Sequence, residues 1–138
     1  MSAGLFLNGV NTALAGLAEI IGTCKVVLLR AWPQADTEEL DELVAVPSTA
    51  LQTGQHPVFG ASRTALVDGV RCIENAQTIV VGRLVEDASN VVGWAVVSDG
   101  KPIAWGPLVN ASGAEITRSF FAGDELAFLA GALRIGLA

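Results

Sequence analysis

The sequence predicts a mainly β protein, an antiparallel β-sandwich or flattened barrel with one N-terminal α-helix. Three observations carry this. Apolar residues recur every three to four positions from 4 to 21, then at every second position in short runs from 64 onward. Asp68-Gly69 and Asp99-Gly100 are hairpin dipeptides, in which glycine supplies the positive φ that a tight turn needs. Turn signals divide the second half at intervals of about eight to twelve residues, the rhythm of a sandwich or small barrel.

The helix is expected over 4–21. Phe6, Val10, Leu14, Leu17 and Ile21 fall on one face, Ser2 can cap the start, and Gly22 sits where a helix ends. Gly9 and Gly16 weaken it by roughly 1 kcal/mol each against Ala, but small residues let another backbone approach closely. One reading is an amphipathic helix covering its own domain. The sharper one makes Phe6, Val10 and Leu17 a contact between neighbouring copies.

Residues 24–31 read as a mostly buried strand, stopped by Trp32-Pro33 because proline cannot continue a ladder. An acidic segment follows. Asp36-x-x-Glu39 has the outline of a cap, with Leu40, Leu43 and Val44 at helical spacing, so a short helix is expected over 37–44. Residues 47–63 are rich in Ser, Thr, Gly, Gln and Pro and read as a long, mobile surface loop. The whole of 1–138 is expected to be one domain: helix 4–21, strand 24–31, acidic segment and loop 34–63, and an antiparallel β body over 64–138. Strands are expected at 70–74, 78–85, 91–98, 101–108, 115–121, 125–129 and 133–137.

Composition narrows the function classes. Apolar residues make up 51% of the 138, and mean hydropathy is +0.52, so apolar surface must find cover in a span or a subunit interface. The longest uncharged stretch, 1–18, is broken by Asn8, Asn11 and Thr12, which argues against a membrane span. No Lys or Arg precedes it, so a signal peptide is not expected either. An intracellular product with a shared interface is the expectation. Net charge is −6, and Asp36, Glu38, Glu39, Asp41 and Glu42 supply five of the fourteen acids against eight basic residues in all. The body is thus near neutral, and no basic stripe offers phosphate contacts, which argues against nucleic acid.

Catalytic, metal and cofactor sites are not expected. The one histidine, His56, precedes Pro57 in the long loop, and no GxSxG elbow accompanies it. Cys24 and Cys72 lack metal-ligand spacing and read as reduced core thiols, with a disulfide possible but unnecessary. The acidic run has leucines at helical spacing and no glycine bend, unlike a calcium loop. It reads as a solvated face, with Glu38, Glu39, Asp41 and Glu42 available to dock a basic partner. Gly131 to Gly136 lacks the Lys-Ser/Thr of a phosphate loop. Asn110-Ala111-Ser112 matches the glycosylation triplet, which only a eukaryotic secreted protein would use. Trp94, Trp105 and Phe120-Phe121 are apolar anchors, expected in the core. If exposed, they point to a subunit interface, as would Trp32.

The run Val92-Val-Gly-Trp-Ala-Val-Val-Ser-Asp-Gly-Lys-Pro-Ile-Ala-Trp-Gly-Pro-Leu108 is a tryptophan strand, a hairpin and a strand ending in Trp-Gly-x-Leu. The run Phe121-Ala-Gly-Asp-Glu-Leu-Ala-Phe-Leu-Ala-Gly-Ala-Leu-Arg-Ile-Gly-Leu137 completes the pattern. Together they resemble small β-sandwich virion proteins of tailed bacteriophages, of the minor capsid, decoration or tail-fibre-like kinds. The resemblance implies a virion structural protein without catalytic residues, made in the bacterial host cytoplasm. The expected function is capsid decoration or cementing as a homo-oligomer, with a trimer favoured and the major capsid protein as partner. A tail- or fibre-associated protein is the alternative. A free-standing ligand- or carbohydrate-binding module is the alternative of another class.

Overall fold

The computed structural model describes residues 15–34 and 39–136. The described part of the expected helix, 15–21, is helical, and residues 4–14 lie outside the described residues. Eleven strands follow: β1 (Lys25–Leu29), β2 (Ser62–Val67), β3 (Val70–Asn75), β4 (Ile79–Arg83), β5 (Ala88–Val91), β6 (Gly93–Ser98), β7 (Lys101–Val109), β8 (Glu115–Ile116), β9 (Arg118–Phe120), β10 (Glu125–Phe128) and β11 (Arg134–Gly136). All their pairings are antiparallel. Among the described residues they form four sheets, ordered β1-β6-β7-β8, β11-β3-β2, β10-β4 and β5-β9. The architecture is sandwich-like, and among the described residues no ladder closes into a barrel.

Both dipeptides turn hairpins. Asp68 and Gly69 join β2 to β3 with φ of 51° and 78°, and Asp99 and Gly100 join β6 to β7 with φ of 50° and 79°. Two consecutive left-handed residues give the turn the same twist as the strands it joins.

Three expectations are corrected. Residues 39–44 form a turn where a helix was expected. Asp41 makes that turn: its Oδ1 accepts from the N–H of Leu43 at 2.9 Å and of Val44 at 3.2 Å, so the side chain closes what a second helical turn would have closed. Residues 47–63 are irregular but anchored. Val46, Ala50, Leu51 and Phe59 are buried, Val26 N–H donates to Pro57 O, and Phe59 N–H donates to Cys24 O. Ser62 and Arg63 already belong to β2. Finally, the run 115–121 is two strands: β8 pairs β7, and β9 pairs β5.

The core has three parts. Ile21, Cys24, Val26, Phe59, Ile73, Ile79, Trp94, Val96 and Leu133 form one, between the inner face of β1-β6 and the ladder around β3. Leu28, Val46, Leu51, Val81, Leu84 and Val91 belong to the second. Val27, Leu29, Ala45 and Ala95 form the third, on the opposite face of β1-β6. Each fully buried Leu, Ile or Phe contributes about 1.5–3 kcal/mol. The second part is unfinished on one side, which positions the cleft described below.

Two polar residues are buried at the end of β3. Glu74, 4% exposed, accepts from Arg63 on one side and Arg134 on the other, at 2.7 and 3.3 Å. Asn75 is fully enclosed. Its Nδ2 donates to the carbonyls of Gln77 and Leu129, both at 2.9 Å, and its Oδ1 accepts from Leu133 N–H at 3.0 Å. The 129–133 turn is therefore fixed to β3 largely through one residue, by its side chain and its backbone.

Candidate interface surfaces and cleft

The three tryptophans separate by register. Trp94 pairs with Gly106 across β6-β7 and lies on the inner face, where a Cβ on Gly106 would come within 2.5 Å of its Cζ2. The glycine is the space that the indole fills. Ala95 pairs with Trp105, so Trp105 stands on the outer face. Gly93, two residues from Ala95, shares that face. A Cβ on Gly93 would lie 2.8 Å from Cη2 of Trp32, which places the Trp32 ring on the same outer face. Trp32 is 47% and Trp105 44% exposed. Pro107 and Val109 follow Trp105 at alternate positions of β7, and Val109 is also exposed. The outer face of this sheet thus carries half-uncovered aromatic and aliphatic side chains.

The remaining expected interface residues are distributed differently. Leu17 is half-buried and packs on the first core part, so it covers its own domain. Glu39, Asp41 and Glu42 are exposed, and none forms a salt bridge among the described residues. Phe6, Val10 and Glu38 lie outside the described residues. The structure thus brings Trp32 and Trp105 to one face and sets Leu17 apart from them.

His56 is half-buried beside a small recess that Asp41, Glu42 and Val27 also line. Burial, then the charge of Lys25, holds its pKa below the ordinary value. Cys24 and Cys72 are free and buried, and Cys24 Sγ donates to Ile20 O at 3.3 Å. Burial and the nearby Glu74 carboxylate push the Cys72 thiol up, which makes it a poor nucleophile. Among the described residues no helix is long and apolar enough to cross a membrane.

A cleft of about 950 Å3 opens between the β7-β8 end of the large sheet and β10 with its following turn. Sequence reasoning missed it, because it is a gap in packing and no motif marks a gap. Leu108, Phe120, Leu126 and Phe128 pack against the second core part while remaining only partly buried, and all four line this cleft. Leu28 and Trp94 reach its floor. Of its charged residues, Arg134 is paired with Glu74 and Glu125 with Arg83, and Asp124 Oδ2 accepts from Phe121 N–H. Arg118 lies 5.3 Å from the Phe120 ring centroid and has no carboxylate partner among the described residues.

Comparison with protein families, with curated proteins and with solved structures finds no match to this chain.

Proposed function

We propose that this chain is a phage virion structural protein that decorates and cements the capsid shell as a homo-oligomer, with a trimer favoured. The observation that carries the reading is the outer face of β1-β6-β7, where Trp32 and Trp105 stay about half exposed beside Val109. Aromatic side chains on the uncovered part of a sheet face, beside the buried Val27, Leu29, Ala45 and Ala95, suit a subunit contact, since aromatics are enriched at interface centres. The exposed carboxylates of Glu39, Asp41 and Glu42 suit a basic partner surface that steers docking. The resemblance of 92–108 and 121–137 to virion β-sandwiches points the same way. A protein that binds the assembled shell, and not its separated parts, stabilises the shell by mass action.

Purified heads test this directly. Heads carrying the protein should resist heat better than heads from a deletion strain, and the protein should co-purify with them. Absence from heads, or equal heat resistance, overturns the capsid assignment. Normal heads with lost adsorption would instead assign the protein to the tail or fibre.

The cleft favours a second reading, a free-standing binding module. That reading expects a soluble monomer with small-ligand or glycan affinity, and a glycan array with sedimentation separates the two.

A further inference from the structure

We infer that the cleft between β8 and β10 is a strand-acceptor groove, which binds an extended polypeptide segment with apolar residues at alternate positions and a carboxylate. Two independent features meet there. Among the described residues, β8 ends the four-stranded sheet and β10 pairs only with β4, so both present a strand edge without a neighbour. An open edge offers backbone donors and acceptors at strand spacing, the means by which a sheet accepts an added strand. Between these edges the core is unfinished, with Leu108, Phe120, Leu126 and Phe128 partly bare. An inserted strand directs every second side chain onto that floor, and so completes both the ladder and the core.

Charge specifies the occupant further. Glu125, Asp124 and Arg134 are already engaged within the chain, which leaves Arg118, set against the Phe120 ring, as the lining charge with no ionic partner among the described residues. A guanidinium at the rim of an apolar groove selects a carboxylate on the incoming segment. The partner is therefore an acidic, alternately apolar strand. The assembly reading supplies the source of that strand, while the groove chemistry stands apart from it: failed peptide binding leaves association with heads untouched, and absence from heads leaves peptide binding untouched.

The test is panning the full chain, immobilised, against a display library of short random peptides, followed by calorimetry with the enriched peptides. Enriched sequences should alternate apolar residues and carry Asp or Glu. N-methylation of alternate amides should weaken binding about tenfold or more, because it removes the ladder donors without altering the protein. Arg118→Gln should weaken binding by roughly threefold to tenfold without changing the melting temperature. No enrichment over a control surface overturns the proposal, as does affinity that N-methylation leaves unchanged. So does a dimer of the chain alone whose β10 amides are protected from exchange, since a second copy would then fill the groove. So does an exchange pattern showing that the chain's own segment 1–14 occupies it.

Discussion

Asn75 and Leu133 bind each other in both directions. The N–H of Leu133 donates to Asn75 Oδ1 at 3.0 Å, while the N–H of Asn75 donates to the Leu133 carbonyl at 3.3 Å. Asn75 O also accepts from Gly131 N–H at 2.8 Å. The pair joins the end of β3 to the turn before β11, and it seats Leu133, which is fully buried.

Asn75→Ala should therefore cost about 3 kcal/mol or more, because it strands buried backbone groups as well as removing bonds. Asn75→Asp should cost more at pH 7 than at pH 4, since a carboxylate would face the carbonyls of Gln77 and Leu129 where Nδ2 now donates. Urea midpoints at the two pH values measure both. Equal stability of the aspartate variant at both would contradict the argument.

Glu74 predicts an asymmetry. Its carboxylate is buried, but both arginine partners are about half exposed, at 53% and 51%. Replacing Arg63 or Arg134 alone leaves the carboxylate one partner. Replacing both leaves a buried charge unpaired, a loss on the order of 3–5 kcal/mol and larger than the two single losses added together. Glu74→Gln should cost less than the double change, because the freed guanidinium groups can turn to water. Denaturant titration of the four variants checks the order.

His56 sets a pH dependence. Its folded-state pKa lies below the ordinary 6.5, so the unfolded chain takes up this proton first as pH falls. Stability from this group is complete above that value and declines as pH drops toward the folded pKa. His56→Gln should flatten the melting-temperature profile below pH 6.5 and leave it unchanged at pH 8. A wild-type profile that rises on acidification through this range would contradict the assignment.

The outer and inner tryptophans should respond oppositely. On the proposed assembly role, Trp32→Ala and Trp105→Ala should reduce self-association or head binding, with a stability change of about 1 kcal/mol or less. Gly106→Ala should cost roughly 1–3 kcal/mol by crowding Trp94, and it should alter near-ultraviolet dichroism. Sedimentation and thermal melts on the same samples separate the effects.

What the sequence made legible follows from range. Asp68-Gly69 and Asp99-Gly100 act through local φ preferences, and both hairpins stand where the dipeptides put them. β2 was hidden because none of its residues is buried, so Ser62 to Val67 carries no clear apolar alternation. Nothing local in the sequence marks Glu74 and Asn75 as buried, since their partners Arg134 and Leu133 lie about sixty residues away. The tryptophans looked alike until register assigned them: Trp94 opposes a glycine on the inside, and Trp105 opposes Ala95 on the outside. The acidic segment misled because Asp41 closes its own turn and ends the helical pattern it begins.

The attachment of β11 to β3 also sets a timetable. Glu74 waits for Arg134, sixty residues downstream, and Asn75 waits for Leu133. The hairpins β2-β3 and β6-β7 can form as they leave the ribosome, because their contacts are local. Arg63 reaches Glu74 within the first hairpin, but the second partner of the carboxylate and the bonds of the enclosed amide to Leu129 and Leu133 form only when the segment leading into β11 has emerged. A chain stalled before that point exposes the unpaired edge of β3 and its apolar face to every neighbour in the same state. Completion of the fold thus depends on its last strand, and shortening the chain by even the few residues of β11 should turn a folded protein into one that aggregates.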